Sequence, residues 1–209
     1  MKLKIAMLIP VASLILAGTP TLAESLVDGS VEDGKARAAT CSACHGTEGN
    51  SQNPMWPNIA GQSASYIQAQ LIAFRDGKRK DPLMAPQSIG LSDEDIANLA
   101  VYFESLPTAA QAIADEDLLD RGESLYRGGN VEDKTAACLA CHGPSGNGNP
   151  AAKYPALRGQ HAVYTAKQLN DYKSGARDTD GTTRIMRDIA ARLDSEDIAA
   201  LSSYVQGLK

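Results

Sequence analysis

The chain repeats itself. Cys41-Ser42-Ala43-Cys44-His45-Gly46 returns 97 residues later as Cys138-Leu139-Ala140-Cys141-His142-Gly143. Pro57-Asn58-Ile59-Ala60-Gly61-Gln62 returns as Pro155-Ala156-Leu157-Arg158-Gly159-Gln160 at a spacing of 98, and Tyr66 and Gln70 return as Tyr164 and Gln168 at the same spacing. Leu91–Ala97 returns as Leu193–Ala199 at 102, so the second copy carries a longer loop between Gly175 and its last block. Agreement along the whole unit points to two homologous domains in tandem, not to a chance pair of motifs.

Each copy reads as helical. Ser63–Phe74 sets Tyr66, Ile67, Gln70, Leu71 and Phe74 on one face, with Gly77 as a stop, and His161–Lys173 repeats the pattern before Gly175. Ser92 with Asp95, and Asp194 with Asp197, read as N-terminal caps of a last helix in each copy. A short helix is expected to lead into each Cys pair, around Gly34–Thr40 and Val131–Ala137, and a further one over Asp120–Arg127. No segment alternates as a strand would. The expected fold class is all-α: residues 24–107 form one domain, 108–117 an Ala- and acid-rich linker, and 118–209 a second domain.

The start of the chain is an address. Lys2 and Lys4 precede an apolar run from Ile5 to Ala17, and Thr21-Leu22-Ala23 supplies small residues for cleavage. This is the pattern of a secretory signal peptide over residues 1–23, removed after Ala23. The run falls short of the roughly 20 residues that span a bilayer. The expected location is therefore the periplasm. The full chain carries −5, so the basic footprint of a nucleic-acid binder is absent.

Two Cys-x-x-Cys-His pentapeptides carry the chemistry. Two thiols a helical turn apart can form thioethers with the two vinyl groups of one haem, and the adjacent His then lies under the iron. Zinc would need four ligands per site, and a redox dithiol would need a βαβ context. Structural disulfides would not require a His after each pair. Cys41, Cys44, Cys138 and Cys141 are thus read as attachment points for two covalent haem c groups, with His45 and His142 as axial ligands. The haems also answer a puzzle of composition. Aromatics make up only 5% of the chain, with one Trp and two Phe, and a large apolar cofactor replaces them in two small cores.

The second axial ligand must come from elsewhere in each unit. Met84 and Met186 both stand seven residues before the last block, in what reads as an irregular segment. Met/His ligation is a known solution for such iron. Met55 has no counterpart in copy two and reads as a packing residue near the haem edge. His161, replaced by Ser63 in copy one, reads as a surface or hydrogen-bonded histidine. The run Lys78-Arg79-Lys80 reads as part of a docking rim or as a solvated basic loop.

Cys41–Gly46, Pro57–Gln62 and Leu83–Pro86, with Cys138–Gly143, Pro155–Gln160 and Arg184–Arg187, resemble class I c-type cytochromes. The tandem arrangement, the segment Gly159–Leu169 and the ending Ile198–Lys209 are similar to the dihaem cytochrome c4 family. The resemblance implies two class I cytochrome c domains related by a pseudo-twofold axis, with haem propionates facing the interface. It implies Pro57 and Pro155 carbonyls that receive the axial His Nδ1–H, a bond that fixes the ring and raises its basicity. By position in the unit, Tyr66 and Tyr164 would either reach their haems' propionates or pack in the core. It implies electron transfer between redox proteins: a donor such as a bc1-type complex and an acceptor such as a haem–copper oxidase, with peripheral membrane association compatible with both. Two strong ligands per iron leave no open position, which argues for a carrier and not an enzyme. The alternatives are the dihaem subunit of a sulfide-oxidising flavocytochrome and a dihaem peroxidase-like enzyme.

Charge separates the two halves. Residues 24–107 carry −5, the linker −3 and residues 118–209 +1, and Arg184 and Arg187 flank Met186. A less negative field favours ferrous iron, so the second haem is expected to have the higher potential.

Overall fold

The computed structural model describes residues 25–208, and the proposed signal peptide lies outside the described residues. Copy one builds α1 (Val31–Arg37), α2 (Ala39–His45), α3 (Ala64–Arg75), α4 (Met84–Ser88) and α5 (Asp93–Ser105). Copy two builds α6 (Leu119–Gly128), α7 (Leu139–His142), α8 (Ala162–Ser174), α9 (Ile185–Ala190) and α10 (Ser195–Gly207). Among the described residues the only β pairing is two isolated bridges, Asn130 with Thr135 and Asn149 with Tyr154. No helix there is long and apolar enough to cross a membrane.

The same packing scheme serves both halves. α1 lies on α5 and α6 on α10; α3 lies on α5 and α8 on α10. Capping boxes start the last helices as the sequence predicts: Ser92 with Asp95 at α5, and Asp194 with Asp197 at α10. Each half has its own apolar cluster. The first holds Ala38, Ala64, Ile67, Leu99 and Phe103, with Cys41 against it. The second holds Leu125, Tyr126, Ile198, Leu201 and Tyr204, with Cys138 against it.

Glycine permits the tightest helix crossing. A Cβ on Gly34 of α1 would sit 2.0 Å from the Asn98 carbonyl oxygen of α5. A Cβ on Gly122 of α6 would sit 2.4 Å from the Ala200 carbonyl oxygen of α10. This pairing of Gly34 with Gly122 corrects one expectation. The counterpart of α1 is α6 and not Val131–Ala137, which forms a turn closed by the Asn130–Thr135 bridge. Copy two therefore inserts an irregular loop between its first helix and its Cys pair. Gly128-Gly129 stops α6, and the carbonyl oxygen of Thr135 fills the space beside Gly129.

The segment between the halves is tied to both. Thr108 Oγ1 donates to the Ala60 carbonyl and Gln111 Nε2 to the Gly159 carbonyl. Asp115 N donates to Ser203 Oγ at 2.7 Å.

Candidate functional site

α2 places Cys41, Cys44 and His45 at i, i+3 and i+4, hence on one helix face. In copy two Cys138 is the N-cap of α7, and Cys141 and His142 follow within it. The chain must then reverse. Gly46 (φ 82°) and Gly143 (φ 79°) adopt left-handed backbone directly after each histidine. A Cβ on Gly46 would meet the Asn50 carbonyl oxygen at 2.2 Å. Further on, the Gly49 carbonyl accepts from Ile59 N (2.8 Å) and Ala60 N (3.0 Å), and the Gly146 carbonyl accepts from Leu157 N (2.7 Å) and Arg158 N (3.2 Å). These clamps fold each proline loop back over its histidine.

His45 Nδ1 lies 2.8 Å from the Pro57 carbonyl oxygen, and His142 Nδ1 lies 2.9 Å from that of Pro155. A carbonyl can only accept, so Nδ1 carries the proton and Nε2 keeps its lone pair. Both rings are buried. Burial holds both imidazoles below the usual histidine range, against the opposite pull of the proline carbonyls. Burial likewise raises the Cys41 thiol, and pushes Cys138 up to about 11. No disulfide joins the four cysteines. Among the described residues no three His, Cys, Asp or Glu side chains converge as a metal cage would require. Each site offers one imidazole nitrogen and two thiols, a set that suits a covalently tethered porphyrin and falls short of the four ligands of a zinc site.

The methionines stand at equivalent places. Met84 begins α4, which packs on α3, and Met186 lies in the first turn of α9, which packs on α8. The segment expected to be irregular is thus a short helix in both copies. The loops leading there differ. Asp81 Oδ1 accepts from Leu83 N and Met84 N in copy one, whereas Asp180 binds Arg187 through both backbone and side chain in copy two. Met55 is 64% exposed among the protein's own side chains. Arg184 and Arg187 pair with Asp188 and Asp180. The local positive charge expected at Met186 is therefore largely cancelled.

The tyrosines point across the molecule. Tyr66 OH accepts from Arg177 Nη2 at 2.7 Å, and Tyr164 OH accepts from Arg79 Nη2 at 3.1 Å. Each phenol meets an arginine of the opposite domain. Sequence reasoning missed this reciprocal pair, although Arg79 and Arg177 share the 98-residue spacing of Tyr66 and Tyr164. Arg79 also turns out to face the interface and not a docking rim, while Lys78 and Lys80 are exposed. His161 is buried and its Nε2 lies 2.9 Å from the Ser51 carbonyl oxygen of the other half. It is the hydrogen-bonded histidine of the sequence reading, placed at the interface.

The cytochrome c family model matches twice along the chain, over residues 31–107 and 120–209. Cytochrome c4 of Pseudomonas aeruginosa is 46% identical over 198 residues, covering 95% of this chain and 97% of that one. This chain belongs to the cytochrome c4 family. The crystal structure of reduced recombinant cytochrome c4 from Pseudomonas stutzeri superposes with a TM-score of 0.85 at 44% identity, covering 87% of this chain and all of that one. More distant is the thiosulfate dehydrogenase electron acceptor of Stutzerimonas stutzeri, 34% identical over 170 residues, covering 80% of this chain and 78% of that one.

This cytochrome is a dihaem electron-transfer protein with two class I domains. It carries two haem c groups, attached through the Cys41/Cys44 and Cys138/Cys141 motifs.

Proposed function

We propose that this cytochrome is an exported periplasmic carrier with His45 and Met84 as the axial ligands of one haem, and His142 and Met186 as those of the other. Its signal peptide is residues 1–23, and its domains run over 24–107 and 118–209 with the linker between. The observation that carries the reading is the paired His–Pro bond. His45 with Pro57 and His142 with Pro155 leave one unprotonated nitrogen per domain, Nε2, that would hold the iron. In each domain a thioether stands on the short helix before the last one. Bound haem supplies a one-electron ferric/ferrous couple. The chain's own part is to hold the imidazole tautomer and to offer the Met84 and Met186 thioethers, which would serve as the second ligands. With a His and a Met both bound, the iron would have no open position for a substrate.

Its partners in this reading are redox proteins, a donor such as a bc1-type complex and an acceptor such as a haem–copper oxidase. Carbon monoxide tests the carrier reading. The reduced protein at neutral pH should not bind it rapidly at either haem. Rapid, full binding would make the protein a catalyst instead. Cyanide-sensitive reoxidation by membranes that contain a haem–copper oxidase tests the acceptor, and reoxidation that ignores cyanide would reject it.

A second reading concerns the donor alone. The likeness to an electron acceptor of thiosulfate dehydrogenase favours a sulfur-oxidising dehydrogenase as the electron source. Reduction of the oxidised cytochrome by such an enzyme with thiosulfate, faster than by a bc1-type complex, would favour that source.

A further inference from the structure

Two positive charges lie side by side at the domain boundary with no acid to answer them. Arg177, in the loop after α8, is 5% exposed. It donates through Nη1 to Gln168 Oε1 (2.7 Å), through Nη2 to Tyr66 OH (2.7 Å) and Gln70 Oε1 (3.0 Å), and through Nε to Thr179 Oγ1 (3.1 Å). Arg79 occupies the matching loop after α3. It donates through Nη2 to Gln168 Oε1 (2.6 Å) and Tyr164 OH (3.1 Å), and through Nη1 to Gln70 Oε1 (2.8 Å). Both guanidinium groups therefore share the same two glutamine oxygens. Each also stacks on an equivalent ring of its own domain, Arg79 on Phe74 and Arg177 on Tyr172.

None of these partners is a carboxylate; all are amide, hydroxyl or phenol oxygens. Among the described residues, no ion pair includes either arginine. Withdrawing a cation from water without a counter-charge is strongly unfavourable, and two adjacent cations repel as well. Amide and phenol oxygens soften this but do not neutralise it. The arrangement calls for anions.

The cofactors can supply them, because each haem c bears two propionate carboxylates. The proline loops also approach the boundary. Asn58 follows Pro57 and Ala156 follows Pro155, and each is hydrogen-bonded by a glutamine of the opposite domain. The loops that orient the two axial imidazoles thus lie at the interface that holds the arginines.

We propose that Arg79 and Arg177 form one shared dicationic clamp for the propionates of both haems, and thereby raise both reduction potentials together. The inference rests on the two haems and not on the identity of any partner. Reduction adds one negative charge to a haem, and a nearby fixed cation favours that state. Each arginine contacts both domains, so neither acts on its own haem alone.

The test is a redox titration of the intact dihaem protein carrying Arg177→Gln, with Arg79→Gln as a second variant and Arg177→Lys as the conservative control. Both potentials should fall in each Gln variant, by a three- to tenfold change in each reduction constant. That is about 30–60 mV at 59 mV per decade for one electron. Arg177→Lys should recover most of the loss. Haem content and the sulfur-to-iron band should stay as in the parent, which keeps a failure of the clamp distinct from a failure of the His/Met assignment. Unmoved potentials, or a shift confined to one haem, would overturn the proposal. If Arg177→Gln does not fold, the half-buried Arg79 decides the matter by the same criteria.

Discussion

Gln160 grips the backbone of Asn58 from the other domain at both ends. Its Oε1 accepts from Asn58 N at 2.9 Å and its Nε2 donates to the Asn58 carbonyl at 2.8 Å. Gln62 does the same to Ala156, with both distances 2.9 Å. A side-chain amide here completes the backbone as a neighbouring strand would.

Truncating either glutamine strands backbone polar groups, buried at Asn58 and half-buried at Ala156. Gln160→Ala leaves the Asn58 N–H and carbonyl unpaired, at a cost of about 1–3 kcal/mol. Gln62→Ala should cost a similar amount through Ala156. Denaturant titration is the measurement, and the unfolding of the two domains should also become less coincident. A loss below about 0.5 kcal/mol would mean that water replaces the clamp.

Met84→Ala and Met186→Ala should each remove about half of the long-wavelength sulfur-to-iron band of the oxidised protein, since each domain supplies one thioether. Met55→Ala should leave the band intact, because Met55 has no counterpart in copy two, where Lys153 stands. Loss of the band in the Met55 variant would reassign the first domain.

Gly34→Ala should destabilise the first domain although alanine is the better helix former. The added Cβ meets backbone, the Asn98 carbonyl at 2.0 Å, which no rotamer can relieve. Overpacking of about 1–3 kcal/mol outweighs a propensity gain of up to about 1 kcal/mol. Thermal unfolding reads the sign, and a raised Tm would show that α1 slides along α5 freely.

Acid should loosen the last helices. The Asp95 carboxylate is held below its ordinary value by the Ser92 N–H and hydroxyl and by Arg37, and that of Asp194 by the Asp197 N–H and Arg121. A depressed carboxylate leaves the native state with fewer bound protons than the unfolded state, so stability rises with pH. The contribution is complete above the usual aspartate value and is lost as pH falls from there through the folded value. Asp95→Asn with Asp194→Asn should lower stability at neutral pH and flatten the acid limb of the stability curve. A limb of unchanged steepness would refute this source.

The C-terminal haem should have the higher potential, by a margin that narrows with salt. Arg184 and Arg187 are paired with acids, so the difference comes from the domain-wide balance, −5 against +1. Such fields are screened over roughly 8–10 Å at ordinary ionic strength. Redox titration at low and high salt, with each haem assigned through its methionine variant, checks both parts. A first haem that is easier to reduce rejects the idea.

Local chemistry was legible in the chain, and partnership was not. Cys41, Cys44 and His45 announce their use because haem attachment demands that spacing, and the repeat shows which residues hold equivalent positions. The helix of Ser63–Phe74 and the caps at Ser92 and Asp194 follow from periodicity and capping chemistry. A repeat does not say which surface of one copy faces which surface of the other. Arg79 therefore looked like one member of a solvated basic run, and Tyr66 looked like a contact within its own domain. The insertion before Cys138 hid for a related reason. Its length matched that of a helix, but Asn130 and Thr135 close it as a turn, and the cue was Gly34, whose partner Gly122 lies outside the main spacing.

Two sets of hydrogen bonds at the boundary are matched, Gln62 with Gln160 and Arg79 with Arg177, while the His161–Ser51 bond has no counterpart. The matched sets make this surface partly complementary to itself, which is the property that lets two copies of one half face each other. The ten residues from Thr108 to Asp117 turn that encounter into an intramolecular one. A short tether holds its ends at an effective concentration in the millimolar range. The two redox centres therefore stay paired however dilute the protein becomes, and their separation is independent of expression level.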